Sequence, residues 1–370
     1  MKKVNVDFFI PRHIKELGVY VPGRLIEDVL EELGLKSAVK LASNENSLGP
    51  SPLAIDAMSL ALGGLGRYGD ADSRRLREAI SKLADHPPEG ILAGNGSSEF
   101  ILVMSHALLS PGATALMSKP SFTLYAKNSQ ASGAKVVESP LDAGYGHDLE
   151  AIASAIDPTV RLIFLDNPLN PTGAYLRPEA IYKFLEKLPP TTLLVLDEAY
   201  IDFCRAPRPD YKALLATNQV IIYRTFSKIF GLAGLRVGYA LMAPELAEAL
   251  NKVRQPFNLN SLTQVAVLTA LKDEEHLKKT LSMTWSALDQ FKERLPEFGL
   301  TVYPTQANFI MARLPQGIAA DAFTQALMKE GVIIRSLTSF GLPNHVRINA
   351  GTQEELSALF AAMSKVCSGR

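Results

Sequence analysis

Between residues 113 and 241, short aliphatic or β-branched runs alternate with helical patterns: Ala113 to Met117, Ala134 to Glu138, Leu162 to Leu165, Leu193 to Leu196 and Val220 to Tyr223. Helices or Pro/Gly loops flank the last three. Such alternation predicts an α/β fold on a doubly wound, mainly parallel sheet buried on both faces. Ligands of such sheets sit beyond the carboxyl ends of the strands, so the residues closing each run are the first candidates for chemistry.

At 370 residues the chain exceeds the size at which one core keeps growing, which predicts two unequal domains. Residues 1–50 read as an arm with one short strand, 51–260 as the large domain and 261–299 as a bridging helix. Residues 300–370 read as a smaller α+β domain that the N-terminal strand joins. Lysine plus arginine balance aspartate plus glutamate at 38 each, which removes a general electrostatic case for nucleic acid or an anionic membrane. Cys204 and Cys367 are the only cysteines, too few for a disulfide framework and consistent with a reducing cytoplasm. The opening Met1 to His13 is broken by Asp7, Pro11 and Arg12 and does not read as a secretory signal. The six histidines show no metal-ligand spacing, so no metal is expected.

Directly after the Val220 run comes Thr225-Phe-Ser-Lys-Ile-Phe-Gly-Leu-Ala-Gly-Leu-Arg-Val-Gly238. A lysine at the mouth of a buried sheet is partly desolvated. Its neutral amine is then available to attack a carbonyl, while Arg236 supplies a fixed cation for a phosphate. An aldehyde carrying a phosphate would use both Lys228 and Arg236; the alternative is a solvated surface loop. Gly94-Asn-Gly-Ser-Ser98 opens a helix whose free amides favour an anion, with the Ser97 and Ser98 hydroxyls as further donors; Ser227 and Arg236 could complete this cup. Glu99 stands where a dinucleotide fingerprint has its third glycine, which argues against a nucleotide.

Asp197 ends the Leu193 run, where an unpaired carboxylate costs several kcal/mol. A protonated ring nitrogen would pair with it, and capping the next helix or holding Mg²⁺ are the alternatives. Tyr200 could donate to a ring oxygen. Asn167, in the stiff Asn167-Pro-Leu-Asn-Pro-Thr-Gly173 turn, loses little freedom on bonding a ligand. Phe122 offers a face for stacking or fills the core. Arg335 ends one strand run and Arg347 sits inside a neighbouring one, His345 to Asn349; they would clamp an anion or make surface ion pairs.

Together with Ser43-Asn-Glu-Asn46, Arg67-Tyr68 and Asn308-Phe309, these motifs resemble the fold-type I pyridoxal-phosphate aminotransferases over nearly the whole chain, and among them the histidinol-phosphate aminotransferases. The resemblance implies the pyridoxal-phosphate-dependent transferase fold, pyridoxal 5'-phosphate as cofactor, and transamination between histidinol phosphate or imidazole-acetol phosphate and glutamate or 2-oxoglutarate. It implies that Lys228 carries the cofactor, Asp197 meets the ring nitrogen, and Asn167 and Tyr200 meet the ring hydroxyl. By the same likeness Gly96, Ser97, Ser98, Ser227 and Arg236 hold the phosphate, and Tyr68 crosses from the other subunit of a homodimer. Arg335, Arg347, Tyr20 and Asn44 fall at substrate-binding positions. Phe122 stands where the family usually has tyrosine; Ser47, Leu169 and Ala71-Asp72-Ser73 also depart from its pattern. An aromatic amino-acid aminotransferase, a threonine-phosphate decarboxylase and a regulatory module that binds the cofactor remain open on the residues alone.

Overall fold

A computed structural model describes residues 4–19 and 24–368. The first strand, β1 (Val39–Leu41), leaves the arm for the smaller domain, and the chain then enters the larger one. There β2 (Ile91–Gly94), β3 (Thr114–Lys119), β4 (Lys135–Pro140), β5 (Val160–Asp166), β6 (Leu193–Asp197), β7 (Val220–Thr225) and β8 (Gly238–Leu241) form one sheet. Its order is β2-β8-β7-β6-β5-β3-β4, and only β8 runs against its neighbours. Sequence reading missed β8, which follows the glycine-rich stretch after Lys228 and is too short to carry a period of its own.

Both faces of this sheet are buried. Ile163, Leu165, Leu194, Leu196 and Ile222 pack into one core, while Leu162, Phe164, Val195, Ile221 and Tyr223 pack into another on the opposite side. Each fully buried apolar side chain of this size contributes roughly 1.5–3 kcal/mol. That pressure explains why the strands read as continuous apolar runs.

Four further strands, β9 (Thr301–Val302), β10 (Phe309–Arg313), β11 (Val332–Ser336) and β12 (His345–Asn349), build the second sheet with β1, in the order β1-β11-β12-β10-β9. β1 pairs in parallel with β11, so the N-terminal strand does join the smaller sheet. The helix expected over 261–299 is two helices, Ser261–Ala270 and Glu274–Arg294. Asp273 causes the break: its carboxylate accepts from the His276 amide at 3.1 Å and caps the second helix. That helix links the two layers. Near its start, His276 Nε2 donates to the Gly49 carbonyl at 3.0 Å; near its end, Phe291 is buried in the small-domain core with Phe323 and Phe360.

Candidate active site

The ends of β3, β5, β6 and β7 and the facing strands of the small sheet enclose a cavity of about 970 Å³. Lys228, Asp197, Tyr200, Ser97, Ser98, Phe122, Ser227, Arg236, Asn44, Arg335 and Arg347 all line it. Residues more than 300 positions apart in sequence thus meet in one space.

Lys228 follows β7 on a turn that Gly231 makes possible. Gly231 has φ +68°, and a Cβ there would sit 2.1 Å from the Gly49 carbonyl oxygen, so only glycine lets the two loops touch. Lys228 Nζ donates to the Ser43 carbonyl at 3.3 Å and lies 5.7 Å from the centre of the Tyr200 ring. Burial, reinforced by the nearby Arg347 guanidinium, lowers its pKa to about 8. A neutral amine is therefore available near physiological pH. An aldehyde should attach to Lys228 with a rate that rises about tenfold per pH unit below about 8 and levels off above it, as read by stopped-flow absorbance. A midpoint near the ordinary lysine value of 10.5 would refute that environment.

Asp197 is buried and well supplied with donors. The hydroxyls of Tyr125 and Tyr223 donate to Oδ2 at 2.5 and 2.7 Å, and the Ala199 amide donates to Oδ1 at 2.9 Å. Burial raises its pKa while these bonds pull it back down. Sequence reading assigned neither tyrosine a role in the site. Tyr223 lay hidden inside an apolar run, and Tyr125 reads as one more core aromatic because it stacks on Phe164 at 4.9 Å. Phe122 borders the cavity edge-on to Tyr125, 5.6 Å between ring centres.

The asparagine turn differs from expectation. Asn167 Oδ1 accepts from the Leu176 amide at 2.7 Å and its Nδ2 donates to the Leu176 carbonyl at 3.1 Å, so its side chain is engaged in holding its own loop. The asparagine facing the cavity is Asn170, whose Oδ1 accepts from Arg347 Nη1 at 2.5 Å. The turn repeats Asn-Pro, and only the fold distinguishes the two copies. Leu169 between them is fully buried, which accounts for an apolar residue there.

Tyr200 lies near the far wall. Asn44 Nδ2 donates to its hydroxyl at 3.0 Å, and burial pushes its pKa up to about 12, so the phenol keeps its proton. Asn44 is thus a support for Tyr200 as well as a lining residue. Its backbone is fastened to the small domain by Asn349 Oδ1 at 3.2 Å and Asn308 Nδ2 at 3.2 Å.

An anion cradle closes the other end. Gly96 precedes the twelve-residue helix Ser97–Leu108 with φ +75°, and a Cβ on it would meet Arg236 Nη2 at 2.6 Å. Arg236 itself holds a left-handed backbone, φ +54°, a conformation costing on the order of 1 kcal/mol that keeps its guanidinium over the helix start. Its Nη1 donates to Ser227 Oγ at 3.4 Å. Glu99 reaches back to accept from the Asn95 amide and from Asn258 Nδ2, which fixes the turn. Free helix amides, two serine hydroxyls and a guanidinium make a site for a phosphate.

Arg335 and Arg347 are directly opposed residues of the antiparallel β11–β12 pair. Like charges in that position repel, and a shared anion between them would relieve the repulsion. Arg347 also donates to the Ala42 carbonyl at 2.8 Å, whereas the side chain of Arg335 makes no hydrogen bond or ion pair with another described residue. Tyr20 lies outside the described residues. Tyr68 is 85% exposed, stacks on Phe257 at 4.7 Å and does not line its own chain's cavity.

Residues 36–363 match the family described as aminotransferase class I and II. The histidinol-phosphate aminotransferase 2 of Ralstonia nicotianae is 41% identical over 361 residues, covering 96% of each chain. That of Akkermansia muciniphila is 38% identical over 365 residues, 98% of this chain and all of its own. Among solved structures, histidinol-phosphate aminotransferase from Sinorhizobium meliloti in complex with pyridoxal-5'-phosphate superposes with a TM-score of 0.88 at 28% identity, covering 97% of this chain and 98% of that one.

Proposed function

The chain belongs to the class I and II aminotransferase family, and from that premise we propose that it transfers an amino group between histidinol phosphate and 2-oxoglutarate with pyridoxal 5'-phosphate as cofactor. In the biosynthetic direction glutamate is the donor and imidazole-acetol phosphate the acceptor. The observation that carries the substrate is the opposed pair Arg335 and Arg347 in the cavity that holds Lys228. A substrate bearing phosphate on its tail supplies the shared anion.

The cradle residues fit the cofactor's phosphate: Gly96, Ser97, Ser98, Ser227 and Arg236. Asp197 would pair with the ring nitrogen, Asn170 and Tyr200 with the ring hydroxyl, Phe122 with the ring face, and Lys228 with the aldehyde carbon. When bound, the cofactor supplies an electron sink for negative charge on the substrate carbon that loses its proton. The protein does the rest. Lys228 Nζ, whose lowered pKa leaves part of it neutral near physiological pH, would take that proton and hold it for return. Asp197, supported by its three donors, would hold the opposite charge beside a protonated ring nitrogen. Arg335 and Arg347 fix the substrate tail so that the reacting carbon stays beside Lys228.

Histidinol phosphate, phenylalanine and threonine phosphate, compared as amino donors with 2-oxoglutarate under one set of conditions, test the reading. Histidinol phosphate should have the highest kcat/KM, and Arg335→Ala should lower it by about 100-fold, mostly through KM. If histidinol phosphate were the poorest of the three, the assignment would be wrong.

We further propose a homodimer in which Tyr68 reaches the partner's site. Leu60, Leu62, Leu65 and Tyr68 are large apolar residues that are at least half exposed along one stretch, the kind of patch that marks an interface. Among the described residues no helix is long and apolar enough to cross a membrane. The cytoplasm is the compartment this reading assigns, supported by the free thiols of Cys204 and Cys367; cell fractionation checks it.

A further inference from the structure

Asp166 ends β5 as Asp197 ends β6, and the two are register partners on parallel strands. Both line the cavity and both are at least 95% buried. Their surroundings are unequal. Asp197 accepts three hydrogen bonds, whereas Asp166 accepts one, from the Asn170 amide to Oδ2 at 2.8 Å. Asp166 Oδ1 is buried with no hydrogen-bond partner. His147 Nε2 lies 3.7 Å from Oδ1, but its N–H is directed instead to the Asp166 backbone carbonyl at 2.9 Å, while Nδ1 meets the Ser118 hydroxyl at 2.6 Å.

Two buried carboxyls on adjacent strands do not both ionise. The donors settle which one does: Asp197 takes the charge and Asp166 the proton. Burial, then the neighbouring Asp197, raises the pKa of Asp166 well above the usual carboxylate range. The other titratable groups near Asp166 do not neutralise it. Tyr125, Tyr200 and Tyr223 are protonated phenols, and burial lowers His147 to about 4, leaving it uncharged.

We propose that Asp166 is a positioning residue that stores the proton of the ring-nitrogen subsite and, by way of Asp197, gives it to a heteroaromatic base arriving there. The Asp166 O–H bond breaks, an N–H bond forms on the ring, and Asp166 is left as a carboxylate. The ring gains one positive charge and Asp166 one negative charge, so the buried subsite has the same net charge before and after loading. Loading without a change of net charge avoids the main electrostatic penalty of a desolvated site. Asp197 remains the group that faces the ring, and Asp166 acts through it.

The inference rests on the cofactor reading above. Its test is isothermal titration of cofactor-free protein with pyridoxal 5'-phosphate at pH 8 to 9, in two buffers of different ionisation enthalpy, which counts protons exchanged per site. Asp166→Asn and Asp166→Ala should each take up about one proton more from solution than the natural chain, and Asp166→Glu should restore its count. Protons exchanged at Lys228 are common to all four proteins and cancel. Equal counts in the natural chain and in either neutral variant would overturn the proton store while leaving the cofactor reading intact. Absence of both heat and a visible absorption band in the natural chain would overturn both.

Discussion

Replacing Lys228 by alanine lowers kcat/KM for transamination by at least about 10⁴-fold and abolishes the visible band that the attached cofactor gives. Among the described residues Lys127 is the other lysine that borders the cavity, and it stands on the helix Leu124–Ala131 rather than beyond the end of β7. Activity within a hundredfold of the natural chain would overturn the catalytic role. Mixing this variant with Tyr68→Ala adds a test of the dimer. If Tyr68 crosses to the partner's site, each mixed dimer holds one intact site, and activity returns to about a quarter of normal per chain pair at random assortment. No recovery on mixing would remove Tyr68 from the partner's site.

The same lysine carries a stability consequence whose sign follows from its lowered pKa. Below about pH 8 the folded chain buries a cation, and between about 8 and 10.5 it has given up a proton that the unfolded chain keeps. That penalty is constant below about 8 and fades as pH rises toward 10.5, the ordinary lysine value. Lys228→Met, which keeps the stem, should therefore stabilise the cofactor-free protein by about 2 kcal/mol at pH 7 and by little at pH 10.5. Urea melts at the two pH values measure the difference. The gain in stability with loss of activity is the trade expected of a catalytic group held where it is costly.

Asp197→Asn is the second large effect, a fall in kcat of about 10³-fold with weakened cofactor binding. The substitution keeps size and a carbonyl oxygen for Tyr125 or Tyr223 but removes the charge that would hold a protonated ring nitrogen. Were Asp197 serving only to bond the Ala199 amide, asparagine would do so equally well. A kcat within tenfold of the natural chain would favour that structural role. The contrast with Asp166 sharpens the prediction: both are buried strand-end carboxyls, yet only Asp197 would face the ring nitrogen.

Much of the site was legible because chemistry at strand ends interrupts an otherwise apolar pattern. Asp197 after Leu193 to Leu196, Lys228 after the Val220 run and the Ser97-Ser98 pair at a helix start are each out of place in a core, and the fold brings them to one cavity. Illegible residues were those whose type suits the core. Tyr125 and Tyr223 read as packing and are packing, yet their hydroxyls hold Asp197. Asp166 also ends a strand, and what separates it from Asp197 is its count of donors, which residue type does not show.

The sequence by itself determined the sheet, through runs that only a doubly covered parallel strand explains, and it determined the chemical inventory of the site. Tertiary structure decided which member of an ambiguous pair does what. It turned Asn167 onto Leu176 and left Asn170 to face Arg347, and it set Arg335 opposite Arg347. It also gave Asp197 three donors and Asp166 one. The physical reason is common to these cases. Residue type fixes what a side chain can donate, accept or charge, but direction and burial come from neighbours far away in the chain, and in a buried site those neighbours set the protonation state.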